Sequence, residues 1–495
     1  MKRISHWVDG SLLPGSSGPV LPVHNPATGE QTGGADRATA AEVDRAVASA
    51  RSAATQWRTS SLAKRSAVLF SFRQLLEQHA DEIAAAVTAE HGKVLDDAHG
   101  EIARGLENVE FACGVPQLLK GGFTEQAATG VDVYSIRQPL GVVAGITPFN
   151  FPVMVPLWMC ANAIACGNAF ILKPSEKDPS ASLLLARLWQ QAGLPDGVFT
   201  VLQGDREAVD ALLDHDDVAA ISFVGSTPVA KHLYERGTAR GKRVQALGGA
   251  KNHALVLPDA DLDLAADALV SAAYGAAGER CMALSIAVAV GEIADPLVEA
   301  LAVRLPKLVV GDGAQQGTDM GPLITAEHRD RVTSYVEAGE SAGADVVVDG
   351  RQASLPSEGY FLGATLLDRV TPDMTVYRDE IFGPVLGVVR VETFEDGLAL
   401  INANRYANGT AIFTRDGGAA RRFQSEVEVG MVGVNVPIPV PVAYYSFGGW
   451  KDSLFGDTHM YGPEGVNFYT RGKVVTSRWP DPATSSIDLG FPRNR

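Results

Sequence analysis

Four cysteines occur in the chain, Cys113, Cys160, Cys166 and Cys281, and the last stands in a setting that suits nucleophilic chemistry. In GERCMA, Cys281 follows Gly278, Glu279 and Arg280. A neighbouring Arg and a loop position would both lower a thiol pKa, and the thiolate is the attacking species. A lone cysteine also serves as a small buried apolar residue, so the motif needs partners. One is Asn150, in ITPFNFP (146–152), a Pro-restricted turn directly after a strand. Open α/β sheets bind ligands at that edge. An amide fixed there can donate to a developing oxyanion, or merely satisfy its own turn.

Two further strand ends could hold a nucleotide. ILKPSEK (171–177) places Lys173, Glu176 and Lys177 at a strand tip, where a Lys and a Glu three residues apart can bond the two hydroxyls of a ribose. The Glu would repel a 2'-phosphate. SFVGSTPVAKHL (222–233) ends a strand at Gly225 and opens a helix at Ser226, whose free N–H groups and dipole suit a pyrophosphate. Ordinary strand and helix capping is the alternative for both. A full G-x-G-x-x-G is absent.

The elements around these motifs follow a recognisable order. From Ala38 to about Cys113 apolar residues recur three and four apart, as in helices, and Gly92 ends one of them. GGFTEQAATGVDVYSIRQPLGV then predicts an antiparallel hairpin outside the main sheet, a candidate oligomerisation arm. After it, VVAGI, AFILK, FTVLQG and AAISFVG alternate with helix-length segments, the signature of βαβ units on a parallel sheet. The pattern restarts at ALVLPDA (254–260) and SIAVAVG (285–291), a second α/β domain, and the tail reads as loops with a late strand, VNFYTRGKVVTS.

Composition narrows the functions. With 495 residues, 46% of them hydrophobic, the chain predicts two or three domains with substantial cores. Its net charge of -16 repels phosphate backbones, so nucleic acid is not expected as a partner. No C-x-x-C occurs, which argues against a zinc module or a disulfide framework and fits a reducing cytosol. The N-terminus lacks an apolar stretch of signal-peptide length. Residues 138–172 carry no charge, but Pro139, Pro148, Pro152 and Pro156 break them up, so a buried core is expected and not a membrane span.

Taken together, TPFNFP, LKPSE, FVGST, LGG-x-K, GERC, GPLIT (321–325) and EIFGPV (380–385) stand in the order of the aldehyde dehydrogenase superfamily. The resemblance runs from about residue 5 to 480. QALGGAKNH (245–253), ARGLENVEFACG (103–114) and NVPIPVPVAYYSFGGWKDSLFGD make it similar to the methylmalonate-semialdehyde dehydrogenase branch. The resemblance implies an α/β fold with a Rossmann-type NAD domain (1–119 and 138–248), an α/β catalytic domain (249–450), and a β arm and tail (120–137 and 451–495) that build a homodimer or homotetramer.

It also implies site roles. Cys281 matches the nucleophile, and Asn150, with the Cys281 backbone N–H, the oxyanion donors. Thr147 and Phe149 match positions lining NAD, Lys173 and Glu176 the adenosine ribose, and Lys177 the adenine side. Gly225 and Ser226 match the pyrophosphate turn, Glu380 and Phe382 the nicotinamide side. At Ala246 the chain departs from the ELGGK of hydrolytic members, whose Glu is the general base for water. Without that base the acyl-enzyme is expected to await coenzyme A, in keeping with the branch. The implied substrate is malonate or methylmalonate semialdehyde, its carboxylate met by Arg104 and Arg280. Expected products are acetyl-CoA or propionyl-CoA, carbon dioxide or bicarbonate, and NADH. No metal is expected, and the expected location is the cytoplasm. A hydrolytic enzyme releasing free acid, or a silent structural relative, remains open on the sequence alone.

Overall fold

A computed structural model describes residues 2–15, 18–479 and 482–484; the expected tail of 451–495 therefore lies partly outside the described residues. Five short strands form the parallel core of the first large sheet: β1 (Val142–Ile146), β2 (Ala169–Lys173), β3 (Phe199–Val201), β4 (Val218–Val224) and β5 (Arg243–Leu247), the last a segment with Arg243 and Gln245 that the sequence reading did not assign. Every residue of β1 and β2 is buried, as expected of parallel strands covered on both faces. They lie in the order β5-β4-β1-β2-β3. Three further segments the sequence reading did not assign extend the sheet: His6–Val8 runs antiparallel to β3, Ser11–Leu13 antiparallel to His6–Val8, and Leu454–Phe455 antiparallel to β5. Each is two or three residues long, too short to show a period of two.

The second sheet is β6 (Asn252–Val256), β7 (Leu284–Val290), β8 (Thr365–Asp368), β9 (Val385–Val391), β10 (Gly409–Phe413) and β11 (Met431–Val434), ordered β8-β9-β7-β6-β10-β11, with Asp345–Val348 as an antiparallel edge. It has its own apolar core, built on residues such as Leu255, Val288, Leu386 and Phe413. The uncharged stretch 138–172 resolves into β1, helix α2 (Met154–Ala165) and β2. Among the described residues no helix is long and apolar enough to cross a membrane.

Two helices matter most for the site. Helix α1 (Leu95–Cys113) packs against α2 at Gly105, where a Cβ would stand 2.6 Å from Leu157 Cδ1. Helix α3 (Thr227–Ala239) follows β4, with Ser226 as its N-cap and no side chain bonding its first N–H groups. The hairpin Phe123–Ala128 and Val131–Pro139 forms, and Thr470–Arg478 pairs with it in a separate three-stranded sheet. The late strand is shorter than expected. Residues 466–468 belong to a helix, Gly462–Phe468, started by Pro463 and seated on α2, where Gly465 faces Asn162.

Candidate active site

Cys281 sits between two cavities. One, of about 210 Å³, is lined by Phe149, Asn150, Gly225, Ser226, Gly248, Gly249, His328, Arg331, Glu380 and Phe382 as well as Cys281. The other, of about 310 Å³, is lined by Asp97, Glu101, Arg104, Phe151, Met154, Trp158 and Arg280, again with Cys281. The first opens at the carboxyl ends of β1, β4 and β5, where the β1 and β4 turns emerge. Six of the sequence-derived cofactor and oxyanion residues thus converge on one space, and both candidate Arg residues on the space opposite.

Backbone strain shapes the turn carrying the thiol. Ala276 and Ala277 have φ of 50° and 53°, and Gly278 has 73°, conformations that cost an L residue about 1 kcal/mol or more. A Cβ on Gly278 would stand 2.2 Å from the Gly383 carbonyl oxygen, so this turn rests on the one bearing Glu380 and Phe382, itself strained at Phe382 (φ 59°). Asn252 and Asn408 donate their side-chain N–H groups to the Cys281 carbonyl at 3.0 and 3.2 Å.

The thiol itself departs from the sequence expectation. Burial pushes the Cys281 pKa up to about 12, Glu380 adds to the rise, and the N–H groups of Cys281 and Met282 and the Arg280 charge only partly oppose it. Arg280 has a nearer partner. Its guanidinium bonds the Asp97 carboxylate, which offsets part of the charge the sequence reading assigned to thiol activation.

Ala246 is corrected as well. It lies within β5, paired with Phe223 and Phe455, and is fully buried in the sheet core. From this segment the cavity is lined by Gly248 and Gly249. This segment brings no carboxylate to the cavity: Ala246 carries only a methyl group, packed in the sheet core, and the wall beyond it is Gly248 and Gly249. A different carboxylate does enter the cavity: Glu380 accepts the Ala250 N–H at 2.9 Å, and burial raises its pKa to about 7.

The ribose candidates lie outside these cavities, at the tips of β1 and β2. Lys173 Nζ stands 3.3 Å from Glu176 Oε2. Burial pushes the Glu176 carboxyl up, yet Lys173, its own backbone N–H and Lys177 together hold it below its ordinary value. The Thr147 N–H donates to the Lys173 carbonyl at 3.1 Å, tying the two tips together, and Lys177 is exposed beyond them.

A model of the aldehyde dehydrogenase family matches residues 13–475. The chain belongs to that family. It is 56% identical to a malonate-semialdehyde dehydrogenase of Pseudomonas aeruginosa over 99% of this chain and 100% of the relative, and 49% identical to one of Geobacillus kaustophilus over 97% and 99%. Its fold matches that of a methylmalonate-semialdehyde dehydrogenase of Oceanimonas doudoroffii with a TM-score of 0.96 at 56% identity, covering 98% and 99% of the two chains. A Sinorhizobium meliloti chain, called a methylmalonate-semialdehyde dehydrogenase and solved with NAD, gives a TM-score of 0.97 at 52% identity, covering 98% and 99%.

In this aldehyde dehydrogenase the sequence reading missed His328 and Arg331, which follow GPLIT, and the acidic partners on α1. His328 is a neutral ring, since burial pushes its pKa down to about 4, and its Nε2–H donates to the Phe382 carbonyl at 2.7 Å. Asp97, Glu101 and Arg104 repeat at i, i+4 and i+7, one helical face; that spacing was the available signal.

Proposed function

We propose that this aldehyde dehydrogenase oxidises malonate or methylmalonate semialdehyde with NAD and passes the acyl group from Cys281 to coenzyme A. The observation that carries the reading is Cys281 at the junction of two unlike cavities, one bearing an amide and a helix N-terminus, the other two cationic side chains. The residues present fit NAD. The first N–H groups of α3, a helix of 13 residues, carry no side-chain cap and suit a pyrophosphate, Gly225, Gly248 and Gly249 keep the wall open, and Lys173 with Glu176 suits a ribose. When bound, NAD supplies the hydride acceptor.

The chain's own residues do the rest. The Cys281 sulfur, its proton given up to solvent, bonds to the aldehyde carbon as the C=O π pair moves onto oxygen, and Asn150 with the Cys281 N–H holds the negative charge there. Arg104 and Arg280 hold the substrate carboxylate, exchanging their bonds to Glu107 and Asp97. After oxidation Cys281 carries a thioester. The bond to the carboxyl carbon then breaks, carbon dioxide leaves, and the electron pair is absorbed as the thioester enolate, which takes up a proton. The thiol of coenzyme A attacks the thioester and Cys281 departs.

A second reading rests on Glu380, whose carboxylate shares the Cys281 cavity: acting on water, it would make the enzyme hydrolytic. Mass spectrometry of the Cys281 peptide after mixing with semialdehyde and NAD, without coenzyme A, tests the two. Thioester persisting for minutes supports the acylating reading; unmodified Cys281 with free acid in solution supports hydrolysis.

We further propose the domain division 1–119 and 138–248, 249–450, and 120–137 with 451–495. On the three-stranded arm Phe123 and Val474 are 66% and 70% exposed, apolar surface suited to a second copy of the chain. The cytoplasm is the proposed location.

A further inference from the structure

We propose that the buried pair Lys93 and Glu101 positions the Asn150 amide for the acylation step. The inference rests on the oxyanion role proposed above for Asn150.

Lys93 is 1% and Glu101 2% exposed, and Lys93 Nζ lies 2.8 Å from Glu101 Oε2. Burying two charges is expensive, and an apolar pair of similar volume would serve stability as well. What apolar side chains could not supply is the rest of the bonding. Lys93 Nζ also donates to the Asn150 carbonyl at 2.6 Å and stands 4.5 Å from the centre of the Phe151 ring. Glu101 Oε1 accepts the N–H groups of Val153 and Met154 at 2.7 and 3.0 Å, at the start of α2. The pair therefore grips the chain at Asn150 and again at Val153 and Met154. Between them stand Phe151 and Pro152, and Pro152 has no backbone N–H of its own to satisfy.

Both anchors are rigid. Lys93 follows Gly92, whose φ of 91° ends a helix and where a Cβ would stand 2.7 Å from Pro322 Cγ. Glu101 is on α1, one turn before the Gly105 contact with Leu157. Asn150 is 4% exposed and lines the Cys281 cavity, so a shift of its backbone moves its amide relative to the sulfur directly. Lys93 and Glu101 are positioning residues, acting through Asn150.

A double-mutant cycle on the full enzyme tests this, read as the rate constant of the first-turnover NADH burst. Lys93→Met and Glu101→Gln should each slow the burst roughly tenfold to a hundredfold, while NAD affinity and the rate of Cys281 alkylation by iodoacetamide stay unchanged. In an Asn150→Ala background neither should slow it further. The same factor in both backgrounds, or a loss under twofold in the parent, overturns the proposal. Asn150→Ala that leaves the burst intact overturns the oxyanion reading and the pair's role with it. Should Lys93→Met not fold, Glu101→Gln, which keeps the shape and an acceptor oxygen, carries the same cycle.

Discussion

Glu380 reaches back across the Cys281 cavity to the Ala250 backbone N–H, 2.9 Å from its Oε1. It takes the space beside Gly249, where a Cβ would stand 2.4 Å from Glu380 Oε2. The carboxylate thus stands against the Gly248 and Gly249 wall of the cavity. Its charge also opposes ionisation of the nearby sulfur.

That opposition has a pH signature. With the Cys281 pKa pushed up to about 12, alkylation of the free enzyme by iodoacetamide should rise with pH and reach no plateau below pH of about 9. Above about pH 7 the Glu380 carboxyl is ionised, so Glu380→Gln should lower the thiol pKa and speed alkylation several-fold at pH of about 8. Near pH of about 5.5, where Glu380 is protonated, parent and variant should react alike. A plateau below pH 9, or equal rates at pH 8, contradicts this electrostatic picture.

Cys281→Ala should remove the covalent route. NADH formation from a semialdehyde is expected to fall by roughly 10³-fold or more, with circular dichroism unchanged, because the residue is half-buried and its carbonyl, held by Asn252 and Asn408, remains. Retained turnover would place the nucleophile elsewhere.

The two cations on the far side of the sulfur predict charge selectivity. Arg280→Ala or Arg104→Ala should lower kcat/KM for a carboxylate-bearing semialdehyde by about 1.5 to 3 kcal/mol of transition-state stabilisation, the worth of a hydrogen bond to a charged group. Propanal, which lacks the carboxylate, should be oxidised no more slowly. Equal losses for both substrates would make the Arg residues structural.

Much of this was legible in the sequence where chemistry coincides with local rules. Apolar runs marked β1 and β2, Gly92 marked a helix end, and the turns bearing Asn150 and Ser226 followed strands and lie in one cavity. What stayed hidden depends on which way a side chain faces. Ala246 alternates into the sheet core, leaving Gly248 and Gly249 at the cavity, and Arg280 turns to Asp97, 183 positions away in the chain. Neither the pleat phase at a strand end nor a distant ion-pair partner is written in a local motif. Burial likewise reversed the expected thiol shift, because desolvation is set by the assembled core.

The contact between α1 and α2 carries its own prediction. Gly105→Ala would put a methyl group 2.6 Å from Leu157 Cδ1, and overpacking of this kind should cost about 1 to 3 kcal/mol in urea unfolding. Because Arg104 and Glu101 share that helix, the KM for a carboxylate-bearing semialdehyde should rise too. An unchanged midpoint would mean that the helices separate freely.

The central claim is that the acyl group leaves Cys281 for a thiol and not for water. Steady-state NADH production from malonate semialdehyde and NAD, measured with and without coenzyme A while products are identified by mass spectrometry, addresses it most directly. The expected result is a single-turnover burst without coenzyme A and sustained turnover to acetyl-CoA with it; equal steady rates in both, with free acid as product, would contradict it.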